Sequence, residues 1–216
     1  MRVQEIDEIT YSEFANKHML KSFFQTKEYG ELMKYSDYKT MYIGGFDDGE
    51  LVAASLILVK TMGPNIKYGY APRGFLIDYY NTKTLTRFTK KVKEFFFRKG
   101  YAFIKINPEI TFAKLDFENK SKIINAKNRE LIKTLKSLGY DKLKDNLYFE
   151  SLLPKYTPVI YLPEYDFDNL DKSFVDTMKE YELNGIRLIK GDEESIETYY
   201  KFVDKKDTKT LTYYKF

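Results

Sequence analysis

The 216-residue sequence contains no cysteine and one histidine, His18. Without cysteine there is no disulfide framework, no thiolate nucleophile and no cysteine-ligated zinc or iron–sulfur site. A lone histidine excludes a multi-histidine metal cluster, and no acidic partner stands beside His18 in the sequence. We therefore predict no metal site, interpret His18 as a structural or solvated residue, and disfavour thiol, metal-dependent and Ser-His-Asp hydrolases.

Long hydrophobic runs and glycine-rich phosphate loops are also missing. The longest apolar stretch, residues 51–59, has the length of a strand, whereas a membrane-spanning helix needs about 20 residues. The first ten residues, MRVQEIDEIT, lack the apolar core of a signal peptide. We therefore expect a soluble, cytoplasmic protein. No P-loop, dinucleotide-binding glycine pattern or Gly-x-Ser-x-Gly nucleophile motif is present.

The composition is that of a globular protein, and its charge is unevenly distributed. Hydrophobic residues make up 43% and charged residues 31%, which is enough apolar material for a core. Residues 1–150 carry 26 basic and 19 acidic side chains (net +7), and residues 151–216 carry 10 and 13 (net −3). A basic body suits RNA, a nucleotide-linked sugar or an anionic lipid. A general compositional bias toward lysine explains the same charge equally well.

Hydrophobic periodicity predicts alternating strands and helices in the first 150 residues. Asp48-Gly49 is a strong hairpin signal, and Ser12 and Thr26 are candidate helix caps. The predicted elements are two short helices within 12–35, strands 40–46, 50–61 and 66–70, a helix over 82–99, a strand over 102–106, a helix over 121–138 and a strand over 148–153.

A cluster of prolines at positions 154, 158 and 163 indicates a domain boundary near Leu153. We predict a first domain over residues 1–153 and a partial second domain over 154–216. The second contains a predicted helix over 168–182, a strand over 186–190, a helix capped by Asp192 and a terminal helical segment. A unit of this size is marginally stable alone.

Two segments place polar groups directly after predicted strands. In residues 69–78, GYAPRGFLID, a proline and a glycine flank Arg73, which presents a cation on a stiff loop. An ordinary turn with a surface Arg–Asp pair is the alternative. In residues 104–109, IKINPE, a strand ends in Lys105, Asn107 and Glu109, and a strand terminus punctuated by proline is the alternative interpretation.

Four segments in this order resemble the FemABX family of non-ribosomal peptidyltransferases. They are residues 23–34 (FFQTKEYGELMK), 44–54 (GGFDDGELVAA), 70–74 (YAPRG) with Asp78, and 104–109 (IKINPE). The resemblance covers the first 150 residues well and continues more weakly to 211–214. It implies an α/β (α+β) fold of acetyltransferase-like (GNAT-type) domains, each a mixed sheet flanked by helices, with the second domain incomplete here. The Arg/Gln-x-x-Gly-x-Gly/Ala loop that holds acetyl-CoA in true acetyltransferases is missing.

The resemblance also implies an activity. An amino acid would pass from aminoacyl-tRNA, the donor co-substrate, to the stem-peptide amine of a UDP- or lipid-linked peptidoglycan precursor. No cofactor and no DNA are implied, and peripheral contact with the inner membrane face is expected. The aminoacyl ester is already activated, so the amine must only lose its proton and be positioned. Positioning alone supplies up to about 7–11 kcal/mol in well-aligned cases.

The family's substrate-binding residues carry over to eight positions, and no catalytic group is identified. Lys34 corresponds to a basic position that contacts a precursor phosphate, and Asn107 stands where the family often has aspartate. Lys209 and Tyr213 match an arginine and a tyrosine of the second domain. The complete set is Lys34, Tyr70, Arg73, Asp78, Lys105, Asn107, Lys209 and Tyr213. Two alternatives remain open, a non-catalytic precursor- or RNA-binding module and an acyl-CoA-dependent N-acyltransferase.

Overall fold

The computed structural model describes residues 1–63, 66–116, 119–143, 170–203 and 209–216. The chain divides into two compact units, Met1–Asn146 and Leu147–Lys215. The boundary predicted near Leu153, like the strand predicted over 148–153, lies outside the described residues and stays a prediction.

The first unit alternates strands with helices, as the periodicity predicts. Its elements are β1 (Arg2–Glu5), α1 (Glu8–Lys17), a 3₁₀ turn (Phe23–Gln25), α2 (Lys27–Lys34), β2 (Lys39–Asp47), β3 (Glu50–Met62), β4 (Ile66–Ala71), β5 (Leu76–Ile77), α3 (Thr82–Arg98), β6 (Tyr101–Ile106), β7 (Ala113–Asp116), β8 (Ser121–Ile124) and α4 (Ala126–Ser137).

The main sheet is mixed. Its strands follow the order β1-β2-β3-β4-β6, and the short β5 pairs with β3 beyond the end of β4. All neighbours are antiparallel except β4 and β6, which are parallel. A parallel pair needs a crossover, and α3 lies in the connection from β5 to β6. A mixed sheet flanked by helices confirms the predicted fold class.

Strand β3 is buried on both faces, which explains its continuous apolar run. Side chains alternate across a strand, so Ile57 joins one core cluster while Leu56 and Leu58 join the other. The first cluster contains the apolar face of α3, including Leu85, Phe88, Val92 and Phe96. The second contains Tyr11 of α1 and receives Tyr29 and Met33 of α2.

Two helix starts differ from the prediction. Helix α1 begins before Ser12, because the Asp7 side chain accepts a hydrogen bond from the Thr10 amide (2.9 Å) and caps the helix there. The helix predicted over 121–138 begins at Ala126, capped by Asn125. Residues Ser121–Ile124 instead form β8, paired with β7, because β-branched isoleucines favour a strand and Asn125 is the better cap.

The second unit contains three described helices, α5 (Lys172–Leu183), α6 (Glu193–Tyr200) and α7 (Leu211–Lys215). The Asp192 cap is confirmed, since its side chain and that of Ser195 form a reciprocal capping box. The strand predicted over 186–190 is wrong: the segment is described but pairs with no strand in the described part of this unit. Across the described residues, no helix combines the length and apolar character needed to span a membrane.

Buried and partly buried tyrosines predict a loss of stability at alkaline pH. Burial raises the pKa of Tyr42 and of Tyr70 to about 12, and it also raises the pKa values of Tyr11 and Tyr79. In the unfolded chain these groups titrate near pH 10, so the unfolded state loses protons first and is favoured as pH rises from about 10 to 12. Denaturant titrations from pH 8 to 11.5 should show a free energy of unfolding that declines above about pH 10.

The matched variant is Tyr79→Phe, which removes one of these hydroxyls while keeping the ring. The decline should become shallower by up to about 1.4 kcal/mol per pH unit, the slope contributed by one proton. A free energy of unfolding that stays flat to pH 11.5 in the unmodified chain would contradict this account.

Candidate functional site

The loop from β4 to β5 is fixed through its backbone amides. The Arg73 amide donates to Asn107 Oδ1 (2.9 Å), the Gly74 amide to Ala71 O (3.1 Å) and the Phe75 amide to the Tyr79 hydroxyl (2.9 Å). Arg73 has a backbone φ of 52°, in the left-handed region that residues other than glycine rarely adopt. Its conformation is therefore held by its surroundings rather than preferred locally.

Parallel pairing brings the β4 and β6 motifs together. Ala71 pairs with Ile106 in register, so the segments that follow each strand leave the sheet at the same edge. Asn107 Oδ1 accepts hydrogen bonds from both the Tyr70 hydroxyl (3.2 Å) and the Arg73 amide. The predicted site residues Tyr70, Arg73 and Asn107 thus form one hydrogen-bonded group.

The Arg73 guanidinium is partly buried and incompletely paired. Its side chain is 17% exposed, and Nε lies 3.9 Å from Oε2 of Glu109, beyond hydrogen-bond distance. Nε has no hydrogen-bond acceptor among the described residues. Lys105, which pairs with Tyr70 in register, adds a second cation, and its Nζ lies 5.9 Å from the Phe103 ring centroid. This edge of the sheet is suited to an anionic group.

A groove of about 210 Å³ lies in the same unit and carries two carboxylates, those of Asp78 and Glu109. Asp78 Oδ1 accepts a hydrogen bond from the Tyr80 amide (2.9 Å). The Tyr80 hydroxyl donates to Asn128, and Lys127 Nζ lies 3.8 Å from the Tyr80 ring centroid. We call the end of β4 and β6 that carries Arg73 and Lys105 the cationic edge. Because Glu109 lines the groove and also faces Arg73, the groove is adjacent to the cationic edge.

Three predicted residues are not part of this group in the described contacts. Lys34 lies in the last turn of α2 and pairs with Glu31, and no described contact joins it to Arg73 or Asn107. Lys209 and Tyr213 belong to the second unit, where Lys209 Nζ lies 5.0 Å from the Tyr213 ring centroid. In the described part of the chain, no group of three or more His, Asp or Glu side chains could hold a metal ion.

Sequence reasoning assigned no role to Gln25, which is 1% exposed. Its Oε1 accepts from the Leu56 amide (3.0 Å), and its Nε2 contacts Leu56 O (3.3 Å) and Pro72 O (2.7 Å). Leu56 lies on β3 between the segments that pair with β4 and β5, so the amide side chain takes the place of a neighbouring strand there. The only local signal is a polar residue directly after Phe23 and Phe24.

Comparison with known proteins identifies the family and supports the fold. The model of the FemAB family matches residues 6–215. The aminoacyltransferase FemA of Staphylococcus aureus (strain bovine RF122 / ET3-1) is 22% identical over 200 residues, which cover 90% of this chain and 47% of FemA. FemA of Staphylococcus epidermidis is 24% identical over 207 residues, 92% of this chain and 49% of that protein.

The crystal structure of FemX superposes with a TM-score of 0.71 at 19% sequence identity. The aligned region covers 100% of this chain and 53% of FemX, and at this identity the likeness shows the fold. The chain thus spans about half the length of the curated relatives it matches. Because the family model spans nearly all of its residues, the chain belongs to the FemAB family.

Proposed function

We propose that this chain transfers an amino acid from aminoacyl-tRNA to the stem-peptide amine of a UDP- or lipid-linked peptidoglycan precursor. The match of the FemAB family model over residues 6–215 carries the proposal, since the FemA relatives are aminoacyltransferases. Such a reaction takes place in the cytoplasm for a UDP-linked acceptor, and at the inner membrane face for a lipid-linked one.

The cationic edge suits the anionic part of the acceptor. In this proposal the guanidinium of Arg73 contacts a phosphate or carboxylate of the precursor, with Lys105 beside it. Tyr70 and Asn107 bond to each other and hold the loop. Lys34 of the first unit and Lys209 and Tyr213 of the second remain proposed precursor contacts.

The adjacent groove suits the amine. The carboxylates of Asp78 and Glu109 in the groove attract a primary ammonium, and in this proposal one of them accepts its proton. The neutral amine then attacks the ester carbonyl and the C–N bond forms. The bond to the tRNA ribose oxygen breaks, and that oxygen leaves as a hydroxyl after taking the proton that the attacking nitrogen loses. No covalent enzyme intermediate is needed, so the protein has only to position the two substrates and to accept a proton from the amine.

The assay combines the chain with charged tRNA and a UDP-linked muropeptide, followed by mass spectrometry of the muropeptide. The expected product is heavier by one amino-acid residue, and acetyl-CoA should not replace the charged tRNA as donor. The double variant Asp78→Asn/Glu109→Gln keeps hydrogen bonding but removes both charges. Its transfer rate should fall by about 10²-fold, the lower range for loss of general base catalysis.

A matched control is Glu130→Gln, which removes a carboxylate exposed on α4 and paired with Lys133. Its transfer rate should equal that of the unmodified chain. Equal rates in the control and the groove double variant would contradict the role of the groove, and absence of product with every charged tRNA would contradict the proposed activity.

Asn107 favours a second candidate, a binding module without turnover. The resemblance places an aspartate at this position, whereas here the side chain is a neutral amide whose Oδ1 is engaged by Tyr70 and Arg73. The segment Asp176–Leu183 of α5, with three acidic side chains and one lysine, also lowers affinity for polyanions relative to a basic segment. Salt-dependent binding of the precursor or of tRNA, with no transfer product, would favour this candidate.

A further inference from the structure

The peptide group between Pro72 and Arg73 is held from both of its ends. Its carbonyl oxygen accepts a hydrogen bond from Gln25 Nε2 (2.7 Å), and its N–H donates to Asn107 Oδ1 (2.9 Å). Gln25 comes from the 3₁₀ turn before α2 and Asn107 from the end of β6, so two distant segments fix one peptide plane. The direction in which the Arg73 side chain leaves the backbone depends on that plane.

We infer that Gln25 is a positioning residue for Arg73: through the Pro72 carbonyl it sets the orientation of the guanidinium that meets the acceptor. The inference rests on the proposed function, because it takes Arg73 as an acceptor contact. Gln25 itself is buried and does not touch the substrate.

Only an amide side chain satisfies the surroundings of Gln25. It faces two carbonyl oxygens, those of Leu56 and Pro72, and one N–H, that of Leu56. A carboxylate would offer no hydrogen to the two carbonyls, and an apolar side chain would leave all three groups unpaired in a buried site. The Leu56 N–H can only donate and the carbonyls of Leu56 and Pro72 can only accept, so together they fix which end of the amide faces the loop. The hydroxyls of Tyr11 (3.0 Å) and Ser55 (3.2 Å) also contact Oε1.

The loop has little room in which to adapt if this contact is lost. A Cβ atom at Gly74 would lie 2.6 Å from Ser55 Oγ and 3.1 Å from Gln25 Nε2, so the backbone passes directly over β3 and Gln25. Arg73 is also in a left-handed conformation that its own preference does not maintain. Without the Gln25 bond, the peptide should rotate toward a relaxed conformation and turn the guanidinium away from its bound position.

The test compares Gln25→Met with Tyr11→Phe in the transfer assay and in thermal unfolding. Both changes remove hydrogen bonds from the same buried cluster. The Tyr11 hydroxyl bonds to the Gln25 carbonyl (2.6 Å) and side chain (3.0 Å), and among the described residues no hydrogen bond joins it to the loop. Gln25→Met should raise the KM for the muropeptide by about tenfold and leave the KM for the charged tRNA unchanged. Tyr11→Phe should lower the unfolding temperature without changing either KM.

Asn107 gives a second approach to the same peptide if Gln25→Met does not fold. Asn107→Ala removes the acceptor of the Arg73 amide hydrogen bond and should raise the muropeptide KM in the same way. A muropeptide KM that stays normal in both Gln25→Met and Asn107→Ala would overturn the inference.

Hydrogen exchange separates this inference from the proposed function, because it needs no activity. The Arg73 amide should lose protection in Gln25→Met, while amides of the β1–β2 pairing keep theirs. If the unmodified chain shows no transfer, the proposed function fails. Hydrogen exchange of the Arg73 amide still tests whether Gln25 holds the loop. Unchanged protection of the Arg73 amide in a folded Gln25→Met chain would show that Gln25 does not hold the loop.

Discussion

Exchange of Arg73 for methionine is expected to lower kcat/KM for the muropeptide by about 10- to 100-fold. A hydrogen bond to a charged group contributes roughly 1.5–3 kcal/mol, and each 1.36 kcal/mol corresponds to about a factor of ten. Methionine fills a similar volume but carries no charge. The unfolding temperature should change little, because the contact of the Arg73 guanidinium with a carboxylate in the described part of the chain is a long ion pair with Glu109 at 3.9 Å. Steady-state kinetics with varied muropeptide measure the effect.

Two further variants make the result specific. Arg73→Lys keeps the charge but loses the planar fork of the guanidinium, so its loss should be intermediate. Arg87→Met removes an arginine of α3 that pairs with Asp47 at 2.7 Å, and kcat/KM should be unaffected. If Arg73→Met performs like Arg87→Met, the guanidinium does not contact the acceptor.

Truncation of Phe88 to alanine should cost the first unit about 3–5 kcal/mol of unfolding free energy, the range for deleting a buried aromatic ring. Phe88 is 0% exposed beneath the sheet, and its ring centroid lies 5.2 Å from that of Phe75. The ring fills the space above Gly45, where a Cβ atom would lie 2.7 Å from it. Because protein cores are closely packed, the truncation should leave a cavity beside Gly45.

Phe97 on the same helix is the matched control, because it is 82% exposed. Phe97→Ala should change the free energy of unfolding by no more than about 0.5 kcal/mol. Urea titrations of both variants provide the comparison. Similar losses in the two would show that α3 does not pack on the sheet through the face that contains Phe88.

The local sequence was sufficient to predict a strand or helix where a turn or a helix cap determines its boundary. Asp48-Gly49 predicted the β2–β3 hairpin, and both residues have positive φ, 50° and 89°, as the favoured two-residue turn requires. Thr26 caps α2 as predicted, since its side chain accepts from the Tyr29 amide. These signals are contained within a few residues, so the sequence displays them directly.

The predictions were wrong where pairing with a strand elsewhere in the chain decides the structure. Residues 121–124 contain apolar positions that fit a helix, but pairing with Ala113–Asp116 makes them a strand. Residues 186–190 are apolar enough for a strand, yet a strand needs a partner, and the described part of the second unit supplies none.

The site was predictable in part, because its motifs follow strands that turn out to be parallel neighbours. The structural roles of the individual site residues were harder to predict from the sequence. Gln25 acts across 31 residues to Leu56 and across 47 to Pro72, separations that no local pattern reveals. Asn107 was predicted to contact the precursor, and its Oδ1 also fastens the Arg73 loop, a contact that depends on the pairing of β4 with β6.

Titration of the ¹⁵N-labelled chain with a UDP-linked muropeptide tests most directly whether the acceptor binds at the β4–β6 edge. The amide signals of Arg73, Asn107 and Glu109 should shift in a saturable manner, whereas those of Asp48 and Gly49 in the β2–β3 hairpin turn should not. Arg73→Met should weaken the binding. Saturable shifts that leave residues 70–78 and 105–109 untouched would place the acceptor elsewhere and contradict the proposed site.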